Sequence, residues 1–216
     1  MSVAVTGKDM DLPERLVLPL ATGEPWWYWL GGRPALDFVN TLRERWRRRV
    51  ECLVTPRDLS RWLLAAGLVD AELPVSGELV GHARELREAI DAAVRAVLEG
   101  EAVPAAAIAQ IDGWLPHAGA RPQLALGPDG QPVLGERPPA DSARRALGMI
   151  ALDAATMLGA PEERARIRIC ASDTCSARFY DRSPAARRRW CSMRTCGNEA
   201  KARRHRARAR SEAAGL

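Results

Sequence analysis

Four of the five cysteines in this chain, Cys170, Cys175, Cys191 and Cys196, fall within 27 residues and read C-x4-C-x15-C-x4-C. Two close pairs with the same internal spacing, joined by a longer arm, suit a tetrahedral S4 metal site. Each pair forms a knuckle contributing two thiolates, and the arm lets the second knuckle fold back over the first. Thiolates select zinc over harder ions, and four of them close the coordination sphere. The expected ion is therefore one structural Zn2+, with no position left for catalysis. Two other uses of four cysteines stand beside it. Disulfides need an oxidising compartment, and the opening residues (MSVAVTGKDMDLPERL) lack the basic-then-apolar order of a secretory signal. An iron–sulfur cluster would use the same thiolates, at spacings unlike the ferredoxin patterns. Cys52, alone in RRVECLVTP, reads as a small buried hydrophobe.

The second chemistry is charge. Arg187, Arg188 and Arg189 precede Trp190 and the third cysteine; Lys201, Arg203, Arg204, Arg206, Arg208 and Arg210 follow the fourth. The segment after Cys196 reads as a helix with Asn198 as N-cap and Glu199 at its positive end. Its basic positions cover most of the helix circumference, so no stripe is left for packing into a core. A solvated terminal helix is the plain reading. A helix that meets a polyanion is the sharper one, because the charges adjoin a metal knuckle and extend the run from Arg187 to Arg189. Six to eight phosphate contacts would give a slope of log K against log salt of roughly −5 to −7. A segment of about 45 residues buries too little apolar area to fold unaided, so metal binding would supply its folding free energy and aim the helix. Trp190 either caps a small core with Phe179 and Tyr180 or stacks on a base.

These groups need a scaffold, and the rest of the 216 residues supplies one. Apolar residues make up 47% of the chain, enough for a core, and no run is long enough to cross a membrane. A soluble, cytoplasmic protein is expected. Residues 1–161 carry 17 basic and 21 acidic side chains, whereas 162–210 carry 15 basic and 5 acidic. This charge step coincides with the break Gly159-Ala160-Pro161, which places a domain boundary near 160–165. Upstream, Leu36, Val39, Leu42 and Trp46 recur at helical spacing from Pro34 onward. Thr55-Pro56-Arg57-Asp58 starts a helix that runs to Ala66 and stops at Gly67. Residues 77–99 form an amphipathic helix on Leu79, Ala83, Leu86, Ile90, Val94 and Val97, and a shorter one covers 104–115. Leu124–Leu126 and Val133–Leu134 flank Pro128-Asp129-Gly130, a hairpin signal. Residues 140–158 return to helix, with Ala146, Met149, Ile150, Leu152 and Met157 inward. Arg166–Cys170 alternates like a strand, and Ala177–Tyr180 can pair back on it. The expected fold is mainly α with minor β: a flexible arm at 1–25, a helical domain at 26–162 with a small β-hairpin, and at 163–210 a zinc-knuckle hairpin with a basic helix.

The cysteine-rich segment resembles the CGNR zinc finger found at the C-terminus of bacterial proteins described as stress-induced transcription regulators. The resemblance lies in Cys170-x4-Cys175, Phe179-Tyr180-Asp181-Arg182, Arg189-Trp190-Cys191-Ser192-Met193, Cys196-Gly197-Asn198, Lys201 and Arg203. The N-terminal half is similar to ABATE, the domain that accompanies this finger, through Gly32-Arg33-Pro34-Ala35-Leu36-Asp37-Phe38-Val39-Asn40-Thr41, Asp58-Leu59 and the stretch from Trp62 to Gly67. Together the two span about residues 26–208. The resemblance implies DNA binding of the transcription-regulator type. One signature letter departs: the family's fourth residue is Arg, and Glu199 stands here. An arginine there that contacts phosphate would make this finger a weaker binder; one that only decorates the helix start is well replaced by Glu.

The N-terminal domain offers less chemistry. Asp37, Asn40 and Thr41 lie beside Trp26-Trp27-Tyr28-Trp29 after a Gly-Gly turn, where they could line a small-ligand pocket or brace a neighbouring helix. His82 and His117 are isolated, and neither a phosphate-binding Gly loop nor a His/Glu metal motif occurs, so no enzymatic activity is expected. The expectation is a zinc-dependent, DNA-binding transcription regulator with a ligand-sensing or dimerising N-terminal domain. RNA or a ribonucleoprotein is the alternative target, and an acidic protein partner the third.

Overall fold

A computed structural model describes the backbone of residues 27–119, 121–137 and 142–214, and their side chains except at 121–123, 136–137 and 208–214. The expected arm at 1–25 and the side chain of Arg208 lie outside the described residues. In chain order the elements are α1 (Pro34–Val39), a short hairpin of β1 (Leu42–Arg43) and β2 (Val50–Glu51), α2 (Pro56–Ala65), α3 (Gly77–Glu99) and α4 (Ala105–Asp112). A 3-10 turn (Leu115–His117) leads to the hairpin of β3 (Arg121–Leu126) and β4 (Pro132–Arg137), then α5 (Ser142–Gly159) and α6 (Pro161–Arg164). The chain ends with β5 (Ile167–Ile169), β6 (Arg178–Tyr180), a π turn (Met193–Gly197) and α7 (Asn198–Ala214). Every strand pair is antiparallel. The fold is mainly helical with small two-stranded sheets, as the sequence implies.

Local signals account for the long helices. At α2 the Thr55 hydroxyl accepts from the Asp58 amide while Asp58 accepts from the Thr55 amide at 2.7 Å, a capping box with Pro56 at the first position. At α3 the Ser76 hydroxyl accepts from Leu79 N at 3.1 Å, and Gly100 ends the helix in the left-handed region. Helix α3 buries Leu79, Ala83, Leu86, Ile90 and Val94 against Leu36 and Phe38 of α1 and Leu147 and Ile150 of α5. Trp62 closes one side of this core, stacked on Trp29 and tilted against Phe38.

Three expectations need correction. The helix from Pro34 does not run through Leu42 and Trp46 but stops at Val39. The Thr41 hydroxyl donates to Phe38 O at 2.7 Å, and the Asn40 amide is taken by β6, so tertiary pairing overrides the helical periodicity. In α5, Leu152 points to solvent; the inward stripe is Ala143, Ala146, Leu147, Ile150, Ala151, Ala154 and Met157. Gly148 sets that rotation, since a Cβ there would stand 2.6 Å from Ala118 N. The helix expected over 104–115 ends at Asp112, and the 3-10 turn follows.

The cysteine-rich segment is seated in the helical body. Ile167 of β5 is fully buried in the main core. Tyr180 N donates to Gly31 O at 2.7 Å, and Asn40 clamps β6 by donating to Arg178 O at 2.9 Å and accepting from Arg178 N at 2.8 Å. Beneath the strand, the buried Arg178 Nε sits 2.7 Å from Asp91 Oδ1 on α3, an ion pair without hydrogen-bond alignment. Arg45 reaches Asp91 at 3.3 Å and Glu88 at 2.7 Å from the other side. Truncating one partner of a buried pair strands the other charge, so Asp91→Ala should cost about 3–5 kcal/mol in chemical denaturation. A loss below about 1 kcal/mol would mean that the pair behaves as a surface pair.

Candidate metal centre and cationic face

The β5–β6 hairpin places the first two cysteines. Strand β5 ends at Ile169 and Cys170 follows it, its amide donating to Ala177 O at 2.9 Å across the hairpin mouth. Cys175 lies in the turn, and Ala177 N donates to its sulfur at 3.4 Å. The returning arm crosses back where Ala171 N donates to Arg189 O at 2.8 Å, which brings Cys191 beside Cys170. Asp181 shapes that arm: fully buried, it accepts from Ser183 N at 2.9 Å and Arg188 N at 2.8 Å. The fourth cysteine comes from the π turn, where Ser192 accepts from Thr195 N at 3.3 Å. A widened turn of this kind re-aims side chains at functional sites, and here it points Cys196 inward.

All four sulfurs lie within 4.8 Å of one another, with Cys175–Cys191 and Cys191–Cys196 each at 3.8 Å. A zinc ion with tetrahedral sulfur ligands near 2.3 Å needs sulfur–sulfur edges of about 3.8 Å, so the donor set fits the ion. The thiols also depend on one another for protons. Hydrogen bonds from Cys175, then Cys191 and Cys196, push the Cys170 thiol well down, whereas those with Cys170, Cys175 and Cys196 push Cys191 well up. Four thiolates at this separation require a cation. Zn2+ supplies it and ties the two knuckles together. Phe179, fully buried, and Trp190, half-buried, pack on the cluster with Leu30. Tyr180 instead faces the main core, with the Arg33 guanidinium over its ring. Cys52 is buried with its thiol pushed up to about 12, chiefly by desolvation, and lies outside the cluster.

The π turn runs on into α7, so helical backbone begins at Met193. Asn198 already has helical dihedrals and donates to Arg194 O at 3.1 Å; the expected N-cap role falls to Ser192. Glu199 accepts from the Thr174 hydroxyl at 3.4 Å, fastening the helix start to the first knuckle. Arg203 reaches back to Asp173 on the same knuckle and, with Arg47 acting in the same direction, holds that carboxyl below the ordinary range. Lys201, Arg204 and Arg206 are exposed, and so are Arg187, Arg188 and Arg189. The Arg188 guanidinium is engaged, donating from Nη2 to Cys191 O at 2.7 Å and lying 5.1 Å from the Phe179 ring centre.

Asp37, Asn40 and Thr41 come together, but as a brace. Asp37 accepts from Gly31 N at 2.7 Å, Asn40 holds β6, and Thr41 accepts from Arg87 at 3.2 Å. They form the socket for the finger strand. A Cβ at Gly31 would stand 2.5 Å from Asp37 N, so that turn admits no side chain. Arg33 pins the socket to α5 and α6 through Asp153 at 2.8 Å and Glu163 at 2.6 Å. An open groove lies elsewhere, walled by His82, Glu85, Gln110, Trp114, His117 and Arg144. Asp91, Asp173, Asp181 and Arg178 hold the finger, and of these the sequence points only to Asp181, through F-Y-D-R beside the cysteines.

A family model named ABATE, described as "Putative stress-induced transcription regulator", matches residues 32–161. The CGNR zinc finger model matches 166–209. No curated protein matches the chain.

Two outcomes test this geometry. Cys191→Ser should lose the bound zinc and the helical ellipticity of α7; retained stoichiometric zinc with unchanged ellipticity would exclude this ligand set. Burial, with the Asp153 charge nearby, pushes Asp37 up to about 7 despite its bond from Gly31 N. The folded state then keeps a proton that the unfolded chain releases near pH 4, so this group's contribution is complete below that and is lost as pH rises through about 7. Asp37→Asn should therefore gain stability relative to the parent between about pH 5 and about pH 8, read from denaturation midpoints; parallel profiles would contradict it.

Proposed function

Since this chain belongs to the ABATE family and carries a CGNR zinc finger, we propose that it is a cytoplasmic, DNA-binding transcription regulator of the stress-induced kind. The carrying observation is that α7 leaves the zinc knuckle with Lys201, Arg204 and Arg206 exposed. Its one acidic residue in the first turn, Glu199, is turned toward Thr174. A helix with almost no apolar face, fixed at its base by metal and the Arg203–Asp173 pair, suits insertion along a phosphate-lined groove. Arg187 and Arg189, exposed on the arm before Cys191, extend the same charge. Trp190 packs half-buried against the cysteine cluster, which favours recognition by cationic groups ahead of base stacking.

The N-terminal domain is proposed as a non-enzymatic partner to this finger, with dimerisation as its role. Leu124, Leu126 and Leu134 stand exposed on the β3–β4 ribbon, an apolar surface of the sort that self-association covers. Among the described residues no helix is long and apolar enough to cross a membrane.

The test is binding to duplex DNA and to structured RNA over a salt series. The expected result is preference for the duplex, with Lys201→Ala plus Arg204→Ala flattening the salt slope by about two units. Preference for RNA would move the target to RNA, and equal weak binding to both would overturn the reading.

A further inference from the structure

The β1–β2 turn of the N-terminal domain carries Arg47, Arg48 and Arg49, all exposed. This turn is docked on the first zinc knuckle. Arg45 N donates to the Ser176 hydroxyl at 3.0 Å, and the Trp46 indole donates to Asp173 O at 3.4 Å. Arg178 of β6 lies over the Trp46 ring at 5.6 Å. On the other side of the knuckle loop, the Asp173 carboxylate takes Arg203 of α7. One residue, Asp173, therefore touches both the arginine turn and the basic helix.

The turn is also held in an unfavourable shape. Glu44 and Arg49 have φ of 46° and 51°, and the Arg47 and Arg49 amides donate to Glu44 O at 2.8 and 3.0 Å. Left-handed backbone at non-glycine residues costs free energy and persists where the surroundings impose it. Here it presents three consecutive arginines at a tip that sits against a cationic finger. Glu44 pairs with Arg48, Arg47 acts on the Asp173 carboxylate that already takes Arg203, and Arg49 donates to Arg45 O at 3.4 Å, so four guanidinium groups share two carboxylates and the field on this side stays positive. Gathering like charges this way is unfavourable in the free protein and becomes favourable when a polyanion lies across them.

We propose that the Arg47–Arg49 turn and α7 form one composite surface for a nucleic-acid phosphate backbone, with the turn gripping phosphates beside those that α7 touches. The inference rests on the nucleic-acid reading above. It makes the N-terminal domain a direct contributor to the contact, where the zinc finger alone would otherwise be the contact unit.

The experiment titrates the full chain with a labelled, mixed-sequence DNA duplex over a salt series. It compares the parent, Arg47→Ala plus Arg49→Ala, Arg47→Glu, and the α7 pair Lys201→Ala plus Arg204→Ala. Zinc content and melting temperature are recorded for each. The double turn variant should keep its zinc and flatten the salt slope by about two units, with affinity falling roughly 5- to 50-fold at moderate salt. Arg47→Glu, whose residue lends only its main chain to the turn's hydrogen bonds, should weaken binding in the same direction. If the α7 pair weakens binding while both folded turn variants bind like the parent, the composite surface is wrong and the finger acts alone. If the parent binds no duplex, the reading beneath the inference fails and takes the inference with it.

Discussion

Gathering four sulfurs from two separate turns around one ion costs chain entropy, and the cost falls where something else already holds the first turn still. In this protein the helical body does so. Strand β5 buries Ile167 in the main core, and β6 is clamped through its backbone by Asn40 and through its side chain by the Arg178–Asp91 pair. The first knuckle thus starts from a fixed hairpin, and the ion has only to gather the arm that carries Cys191 and the π turn that carries Cys196. Local order is already supplied where a free zinc finger would draw it from the metal alone.

That seating sets the direction of everything downstream. Helix α7 grows out of the π turn, and its base is tied to the first knuckle by Glu199 and Arg203. Its heading is therefore inherited from the body through a short chain of contacts. Glu199, standing where the family's signature has arginine, fits this role because its carboxylate meets the Thr174 hydroxyl of the first knuckle. The same knuckle presents Asp173 to the β1–β2 turn, so cationic residues far apart in sequence converge around one loop.

Much of this was legible in the sequence. The cysteine spacing states the donor set, the Thr55–Asp58 box and the stripe over 77–99 state two helices, and Pro128-Asp129-Gly130 states a hairpin. What was not legible depends on contacts between distant residues. Leu42 and Trp46 continue a helical period, yet Asn40 leaves the helix to bind a strand about 140 residues away. Asp37, Asn40 and Thr41 read equally as a ligand site or a brace because they are polar and beside tryptophans; Asn40 bonds the finger strand, Asp37 the Gly31 turn and Thr41 the Phe38 carbonyl and Arg87. Leu152 fails for a steric reason, since the close approach at Gly148 fixes which side of α5 faces inward. Charge runs carry no such information, so the position of Arg47–Arg49 against the knuckle emerges only in three dimensions.

The four-sulfur site is tested most directly by zinc K-edge X-ray absorption on the purified protein. One zinc per chain is expected, with a first shell of four sulfurs at about 2.3 Å and no light-atom scatterer. A shell containing nitrogen or oxygen, or fewer than four sulfurs, would contradict it.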